Sequence, residues 1–226
     1  MPGLRDYQGA TVDAAREAIK FYDRVCVQGP TGSGKSVIIS AILKSAMEKG
    51  NVCWVVIPRK ELIRQQSAHL VKWGIKHGFI DAAHKESRAY KCFVVSRETV
   101  MRRIGKIKQP PALILFDEAH IALDAQKKII DAVGKVKVLG FTATPEPLGR
   151  SMTAVYETCV YGPPITYLTQ AGYLCHIRYF APPLEGAEAL HWKMGEVKED
   201  ELEALMKKHA VYGKAAEYYK NHGAGR

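Results

Sequence analysis

The stretch Gly29-Pro30-Thr31-Gly32-Ser33-Gly34-Lys35-Ser36 decides how the rest of the chain is read. It follows the apolar run Val25-Cys26-Val27 and precedes an apolar, helix-compatible segment from Val37 to Met47. Strand, glycine loop and helix in that order form the context of a phosphate-binding loop. In such a loop successive backbone N–H groups curl around phosphate oxygens, and the following helix points its N-terminus at them. Gly29, Gly32 and Gly34 keep the turn open, and Pro30, Thr31 and Ser33 complete an ATP-binding loop. Lys35 then reaches the β- and γ-phosphates, while the Ser36 hydroxyl completes the shell of a magnesium ion. A glycine-rich turn that merely happens to precede a helix is the bland reading, and it leaves the flanking pattern unexplained.

A second signal is Leu113-Ile114-Leu115-Phe116-Asp117-Glu118-Ala119-His120, whose Asp117 lies 82 residues beyond Lys35. Four apolar residues end in two carboxylates, so Asp117 emerges at the carboxyl edge of a sheet, where open α/β folds bind ligands. Asp117 is expected to hold magnesium, mostly through water. Glu118 is the candidate general base for an attacking water. A lone Asp-Glu after a strand more often caps a helix; the phosphate loop upstream reverses that preference. Lys35, Asp117 and Glu118 are therefore the candidate catalytic residues, with Ser36 and Asp117 as metal ligands.

The 226 residues suffice for one well-packed α/β domain and a short appendage. No stretch approaches the 18 apolar residues of a membrane span, and the N-terminus has no apolar signal-like region. Five cysteines, at 26, 53, 92, 159 and 175, are scattered without a CxxC pair. Three sit in apolar strand-like runs and read as buried thiols, compatible with a reducing cytoplasm. The net charge of +10 is uneven: residues 1–182 carry 26 basic against 15 acidic side chains, and 183–226 carry seven against eight. A basic nucleotide-binding domain is a reasonable partner for a polyanion, although ordinary solubilising charge explains the balance equally well.

Apolar periodicity predicts a helix within 3–20, with Ala10, Val12, Ala14, Ala15, Ala18 and Ile19 on its packed side. Strands are expected at 24–28, 52–57, 92–96, 112–116 and 136–141, with a weaker one at 79–80. Helices are expected at 61–73, 98–104 and 124–133. This alternation predicts a mostly parallel sheet with helices on both faces. After Thr144-Pro145 the pattern loosens. A short helix at 165–172, a strand near 175–180, a linker at Ala181-Pro182-Pro183 and helices at 199–209 and 212–221 complete the reading. Trp54 and Trp73 fall in apolar patterns and read as core.

At this point the chain resembles the superfamily 2 helicases and translocases. Asp117-Glu118-Ala119-His120 resembles their DEAD/DEAH box, and Thr142-Ala143-Thr144-Pro145 resembles the element that couples the ATP site to the nucleic-acid path. Ile57-Pro58-Arg59-Lys60-Glu61-Leu62-Ile63-Arg64-Gln65 is similar to motif Ia, and Ser96-Arg97-Glu98-Thr99 sits where motif Ib or Ic would lie, with Glu98 in place of the usual glutamine. Leu4-Arg5-Asp6-Tyr7-Gln8 resembles the adenine-recognition element. The texture is most similar to the RadD-like and type III restriction Res-subunit group. The resemblance covers Leu4 to about Phe180. It implies a RecA-like P-loop NTPase domain over 1–182, with 183–226 as a linker and the start of a second such domain.

The resemblance also implies roles. Arg5 and Gln8 would contact adenine. His120, Thr142, Ala143 and Thr144 would couple hydrolysis to nucleic acid, with His120 bridging the two motifs. Pro58, Arg59, Lys60, Ser96 and Thr99 would line the nucleic-acid path, extended by Arg64, Arg97, Arg102 and Arg103. Taken singly, Gln8 reads as a surface residue and each arginine as ordinary surface charge. ATP and Mg2+ are the expected cofactors and nucleic acid, DNA in the first instance, the expected partner. No arginine-rich motif of a second domain follows Phe180, so a truncated motor, completed by a second chain, is expected. An ATP-dependent nucleic-acid binding module and a restriction-complex subunit remain as alternatives. A small-molecule kinase fits the loop but not Thr142-Ala143-Thr144 or the basic helices.

Overall fold

The computed structural model describes residues 3–84, 87–107, 109–145, 151–177, 190–193, 196–197, 199–208, 216–217, 219–221 and 223. The chain divides into two compact units, Met1–Cys175 and His176–Arg226.

The first unit is built on seven parallel strands: β1 (Arg24–Gln28), β2 (Cys53–Ile57), β3 (Gly78–Ile80), β4 (Cys92–Ser96), β5 (Leu113–Phe116), β6 (Lys137–Thr142) and β7 (Thr158–Tyr161). Their order across the sheet is β3-β4-β2-β5-β6-β1-β7. Strands buried on both faces must be apolar throughout, not alternating. The sequences CWVVI, CFVVS and LILF of β2, β4 and β5 meet that demand and are buried at every position. Edge strand β7 is only partly covered.

The period-2 geometry of each strand divides these residues between two cores. Val55 and Ile57 face one side with Val25, Val27, Leu115 and Phe141; Trp54 and Val56 face the other with Cys26, Ile114 and Phe116. The first core is covered by α1 (Asp6–Phe21), α2 (Lys35–Glu48) and α3 (Lys60–Lys72), through Val12, Ile39, Leu43, Ile63 and Leu70. The second is covered by α4 (Arg97–Arg103) and α5 (Leu123–Val133), through Val100, Ile129 and Ile130. Each fully buried side chain of this size contributes roughly 1.5–3 kcal/mol. A RecA-like α/β fold with helices on both faces of a parallel sheet results.

Boundaries shift by one or two residues from expectation, as helix and strand ends do. Two differences matter more. The stripe that α1 buries is Tyr7, Gln8, Thr11, Val12 and Ala15, while Ala10 and Ala14 are exposed. Small apolar residues surround the helix, so the polar Gln8 and Thr11 mark the packed side better than the alanines do. Strand β7 was not legible either. Three half-covered residues and the exposed Tyr161 carry no apolar run, and the strand exists because β1 offers an open edge that pairs Val25 with Thr158 and Gln28 with Tyr161. Its start is pinned by Glu157, whose carboxylate accepts hydrogen bonds from the Asp23 N–H at 2.9 Å and the Arg24 guanidinium at 3.2 Å. Helix α6 (Ile165–Gln170) follows, and Gly172 leaves it at φ +74.

In the second unit, Trp192–Lys193 (β8) and Glu196–Val197 (β9) pair antiparallel, and α7 spans Glu199–Lys208. Acidic residues open α7 and lysines close it, as its dipole favours. Residues 216, 217 and 219–221 are helical within the predicted 212–221 segment. The linker at 181–183 and most of the strand predicted at 175–180 lie outside the described residues; 175–177 have no regular structure.

Two glycines test this packing. A Cβ built on Gly140 of β6 would come within 2.2 Å of the buried Tyr156 hydroxyl, whereas one on Gly9 in α1 meets nothing within 4 Å. Gly140→Ala is expected to lose about 3 kcal/mol by overpacking, and Gly9→Ala to gain roughly 0.5–1 kcal/mol from helix propensity. Urea unfolding of the two variants measures both; equal effects would refute the packing of Tyr156 on β6.

Candidate nucleotide site

Parallel strands deliver their carboxyl ends to one edge, and the loops that leave β1, β5 and β6 meet there because these strands are neighbours. The loop after β1 is anchored at once: the Gly29 N–H donates to the Thr142 carbonyl of β6 at 2.9 Å. Gly32 and Gly34 then take left-handed conformations at φ +83 and +81, a region that side-chain-bearing residues enter only with strain. Gly34 is the residue before α2, so the turn and the helix start are one structure. The first-turn N–H groups of α2, those of Lys35 and Ser36, have no carbonyl one turn back. The Ser33 hydroxyl is buried in the loop without a hydrogen-bond partner. Lys35 folds its ammonium onto the Gly29 carbonyl at 3.1 Å. A glycine turn with free backbone donors and a lysine is a donor set suited to a phosphate chain.

Helix α1 braces this loop from outside. The Tyr7 hydroxyl and Gln8 Nε2 both donate to the Ser33 carbonyl, at 2.9 and 3.1 Å. Gln8 Oε1 accepts the Arg5 N–H at 3.0 Å, so the Gln8 amide is held by protein at both ends. Arg5 lies over the ring of Tyr173 at 4.9 Å, and Tyr7 meets the same ring with centroids 5.0 Å apart. Leu174 covers the loop tip so closely that a Cβ on Gly32 would approach its Cδ2 to 2.8 Å. Tyr173 and Leu174 were not legible as site residues. They lie about 140 residues downstream of the loop and reach it only because α6 ends at Gly172.

Asp117 and Glu118 leave β5 facing this loop. Asp117 is half-buried, and desolvation pushes its carboxyl above the usual aspartate range; the Glu118 charge adds to this, while the Glu118 N–H and Lys35 oppose it. A half-buried carboxylate beside a second carboxylate is a donor set suited to a divalent cation, and Ser36 lies on the adjoining helix start. Glu118 sits at φ +47 and Ala122 at φ +58, both left-handed without being glycine. His120 Nδ1 lies 2.8 Å from the Thr142 hydroxyl oxygen and 3.5 Å from Glu118 Oε2. The same Thr142 oxygen accepts the Thr144 N–H at 3.0 Å. Ala143 is half-buried and Thr144 exposed beside it.

The basic residues gather on the other half of the edge, after β2 and β4. Arg59, Lys60 and Arg64 are exposed, and Pro58 is half-buried. Lys60 is 3.5 Å from Glu98. Ser96 and Thr99 point inward instead: both are buried, and the Ser96 hydroxyl caps α4 by accepting the Thr99 N–H at 3.5 Å. A groove of about 600 Å³ adjoins them, lined among others by Lys60, Arg64, Phe79, Asp81, His84 and Ser96. Trp54 and Trp73 are core residues.

This fold, with a glycine loop, an acidic strand end and a threonine-bearing strand end side by side, matches the superfamily 2 helicase and Res-subunit core. Residues 2–147 match the family described as Type III restriction enzyme, res subunit, and the chain belongs to it. A "51.5 kDa protein" of Lactococcus phage (isolate 7-9) is 29% identical over 202 residues, which cover 88% of this chain and 42% of the relative. Solved structures share the fold. The SWI2/SNF2 ATPase core of Sulfolobus solfataricus, in complex with dsDNA, aligns with TM-score 0.57 at 20% identity, over 68% of this chain and 36% of that one. A nuclease-deletion mutant of the Type ISP restriction-modification enzyme LlaGI, in complex with a DNA substrate mimic, gives 0.62 at 18%, over 76% and 21%. The Pyrococcus furiosus Hef helicase domain gives 0.59 at 23%, over 70% and 37%. The chain thus spans less than half the length of each of these relatives. Among the described residues no helix is long and apolar enough to cross a membrane.

The upward shift of Asp117 has a stability consequence. A carboxyl whose folded pKa is raised stabilises the fold while protonated, and that contribution is lost as pH rises from the ordinary aspartate value of 3.8 through the folded value. Asp117→Asn should therefore melt higher than wild type at neutral pH in chelator, with the gap closing as the pH falls toward 4. Thermal unfolding from pH 4 to 8 reads this directly, and a gap independent of pH would refute the burial argument.

Proposed function

We propose that this chain is the magnesium–ATP-binding and hydrolysing half of a DNA-directed helicase or translocase. The observation that carries the reading is the convergence, on one sheet edge, of the phosphate loop, the Asp117–Glu118 pair and the His120–Thr142 hydrogen bond. Lys35, the loop N–H groups and Ser36 bind the triphosphate. Asp117 and Ser36 would hold magnesium, which would supply neutralisation of phosphate charge. Glu118 accepts the proton of the attacking water. Its backbone is locked by the Asp117 carboxylate, which accepts the Glu118 N–H at 3.0 Å. His120 and Thr142 tie Glu118 to β6, so a change at the phosphates is felt at Ala143 and Thr144. Arg5 and Tyr173 form the side on which an adenine would stack, while Gln8 serves the loop.

Arg59, Lys60 and Arg64 are the proposed nucleic-acid contacts. They are exposed, follow the end of β2, and lie in the excess of positive charge of residues 1–182. Such contacts go to phosphates and position the strand without reading it. Ser96 and Thr99 support this surface from beneath by shaping α4. A second RecA-like domain, on another chain or on further sequence, would supply the opposite wall of the ATP cleft. The alternative is a nucleic-acid binding module or restriction-complex subunit that does not unwind alone, and the match of residues 2–147 to a restriction-enzyme Res subunit supports the second of these.

Calorimetry with a non-hydrolysable ATP analogue and magnesium should show binding by wild type and its loss in Lys35→Ala. In the presence of the completing domain, Glu118→Gln should keep affinity within a few-fold and lower turnover by roughly 10²- to 10⁴-fold. Equal binding by Lys35→Ala, or full turnover by Glu118→Gln, refutes the site. For the second surface, reversing Arg59 and Lys60 to glutamate should weaken binding to all DNA sequences alike. It should lower the salt slope by about 1 per lost phosphate contact. Fluorescence anisotropy across a salt series measures both, and an unchanged slope would contradict phosphate contact.

A further inference from the structure

Two buried polar side chains have no part in the reading above. Gln126, in the first turn of α5, is 2% exposed, and Tyr156, just before β7, is 3% exposed. Burying an amide and a hydroxyl costs stability unless each finds partners, and here the partners are specific. Gln126 Nε2 donates to the carbonyls of Ala119, at 2.7 Å, and Ile121, at 2.9 Å. Gln126 Oε1 accepts the Tyr156 hydroxyl at 2.5 Å. The amide cannot be turned round, since its oxygen would then face two carbonyl oxygens. Tyr156 must therefore donate. Burial and the neighbouring Cys26 thiol hold its pKa well above the usual tyrosine range, which keeps that donor protonated.

The clamped loop is the one that most needs clamping. Residues 117–122 contain two non-glycine residues in the left-handed region, Glu118 and Ala122. Each costs roughly 1 kcal/mol or more and persists only where the surroundings over-determine it. Ala119, between Glu118 and His120, is held on both sides. Its N–H donates to the Phe141 carbonyl at 2.8 Å, and its own carbonyl receives Gln126. Gly140 supplies the space in which the Tyr156 ring lies against β6.

We propose that Gln126 and Tyr156 are positioning residues that hold the Asp117–His120 loop in its strained, metal-competent conformation from behind, through the Ala119 and Ile121 carbonyls. This rests on the nucleotide reading of that loop. It adds a connection: Tyr156 links the start of edge strand β7 to the carboxylates. The link is made by two side chains that touch neither nucleotide nor metal.

Two variants separate this from a purely structural role. Tyr156→Phe keeps the ring on Gly140 and removes one donor; Gln126→Met keeps length and removes all three hydrogen bonds. The first readout needs no nucleotide. Amide hydrogen exchange at Ala119 and Ile121 should quicken by about 10-fold in Gln126→Met and less in Tyr156→Phe, with the amides of β2 and β4 unchanged. The second is the magnesium-dependent gain in affinity for a non-hydrolysable ATP analogue. It should fall about 5- to 10-fold, with affinity in chelator unchanged. Acceleration spread evenly over the sheet would overturn the proposal, as would unaltered exchange at Ala119 and Ile121. An undiminished magnesium gain in variants with a loosened loop would also overturn it. If wild type binds no nucleotide, the functional reading fails, and the exchange measurement still decides whether the clamp exists.

Discussion

The pairing of β6 between β5 and β1 is the constraint from which the site follows. It puts Phe116 opposite Gly140 and Gln28 opposite Thr142, so the loop after β1 leaves the sheet beside the loops that follow the distant strands β5 and β6. The Thr142 backbone carbonyl then receives the Gly29 N–H, and its side chain meets His120. One residue thereby touches both the phosphate loop and the acidic loop. Parallel strands buried on both faces hold this register firmly, because a slip of one residue would exchange the two cores.

Stability is given up locally at this edge and recovered around it. Asp117 is a carboxylate under desolvation beside a second carboxylate, and Glu118 and Ala122 carry left-handed backbone. Rigid surroundings make that tolerable. Ala119 is held by Phe141 and Gln126, and the Ser33 carbonyl is held by Tyr7 and Gln8. A site prepared for a dication and a polyanion is expected to be strained or repulsive without them, since its donors and acceptors are arranged for charges that arrive later.

The basic surface obeys a different logic. Its residues are exposed and lie on the β2–β4 half of the sheet, away from the Asp117–Glu118 pair. Two residues that resemblance assigned to it, Ser96 and Thr99, are spent on starting α4. Short polar residues at a strand-to-helix junction are caps first, because the helix N–H groups need an acceptor. The arginines and lysines around them carry the long-range charge.

Sequence alone determined the local features: the glycine loop with its lysine, the acidic end of an apolar strand, and the runs that only a doubly covered parallel sheet accommodates. These are legible because backbone conformation and burial select residue types over a few positions. Tertiary structure decided everything that depends on which strand lies next to which. That Gln8 braces the loop, that Tyr173 and Leu174 arrive at it, that β7 forms at all, and that Gln126 and Tyr156 stand behind the carboxylates are consequences of strand order and helix packing. A buried glutamine or tyrosine has no local pattern to announce its partner, because the hydrogen bond that gives it meaning spans 30 residues and closes only when the sheet does.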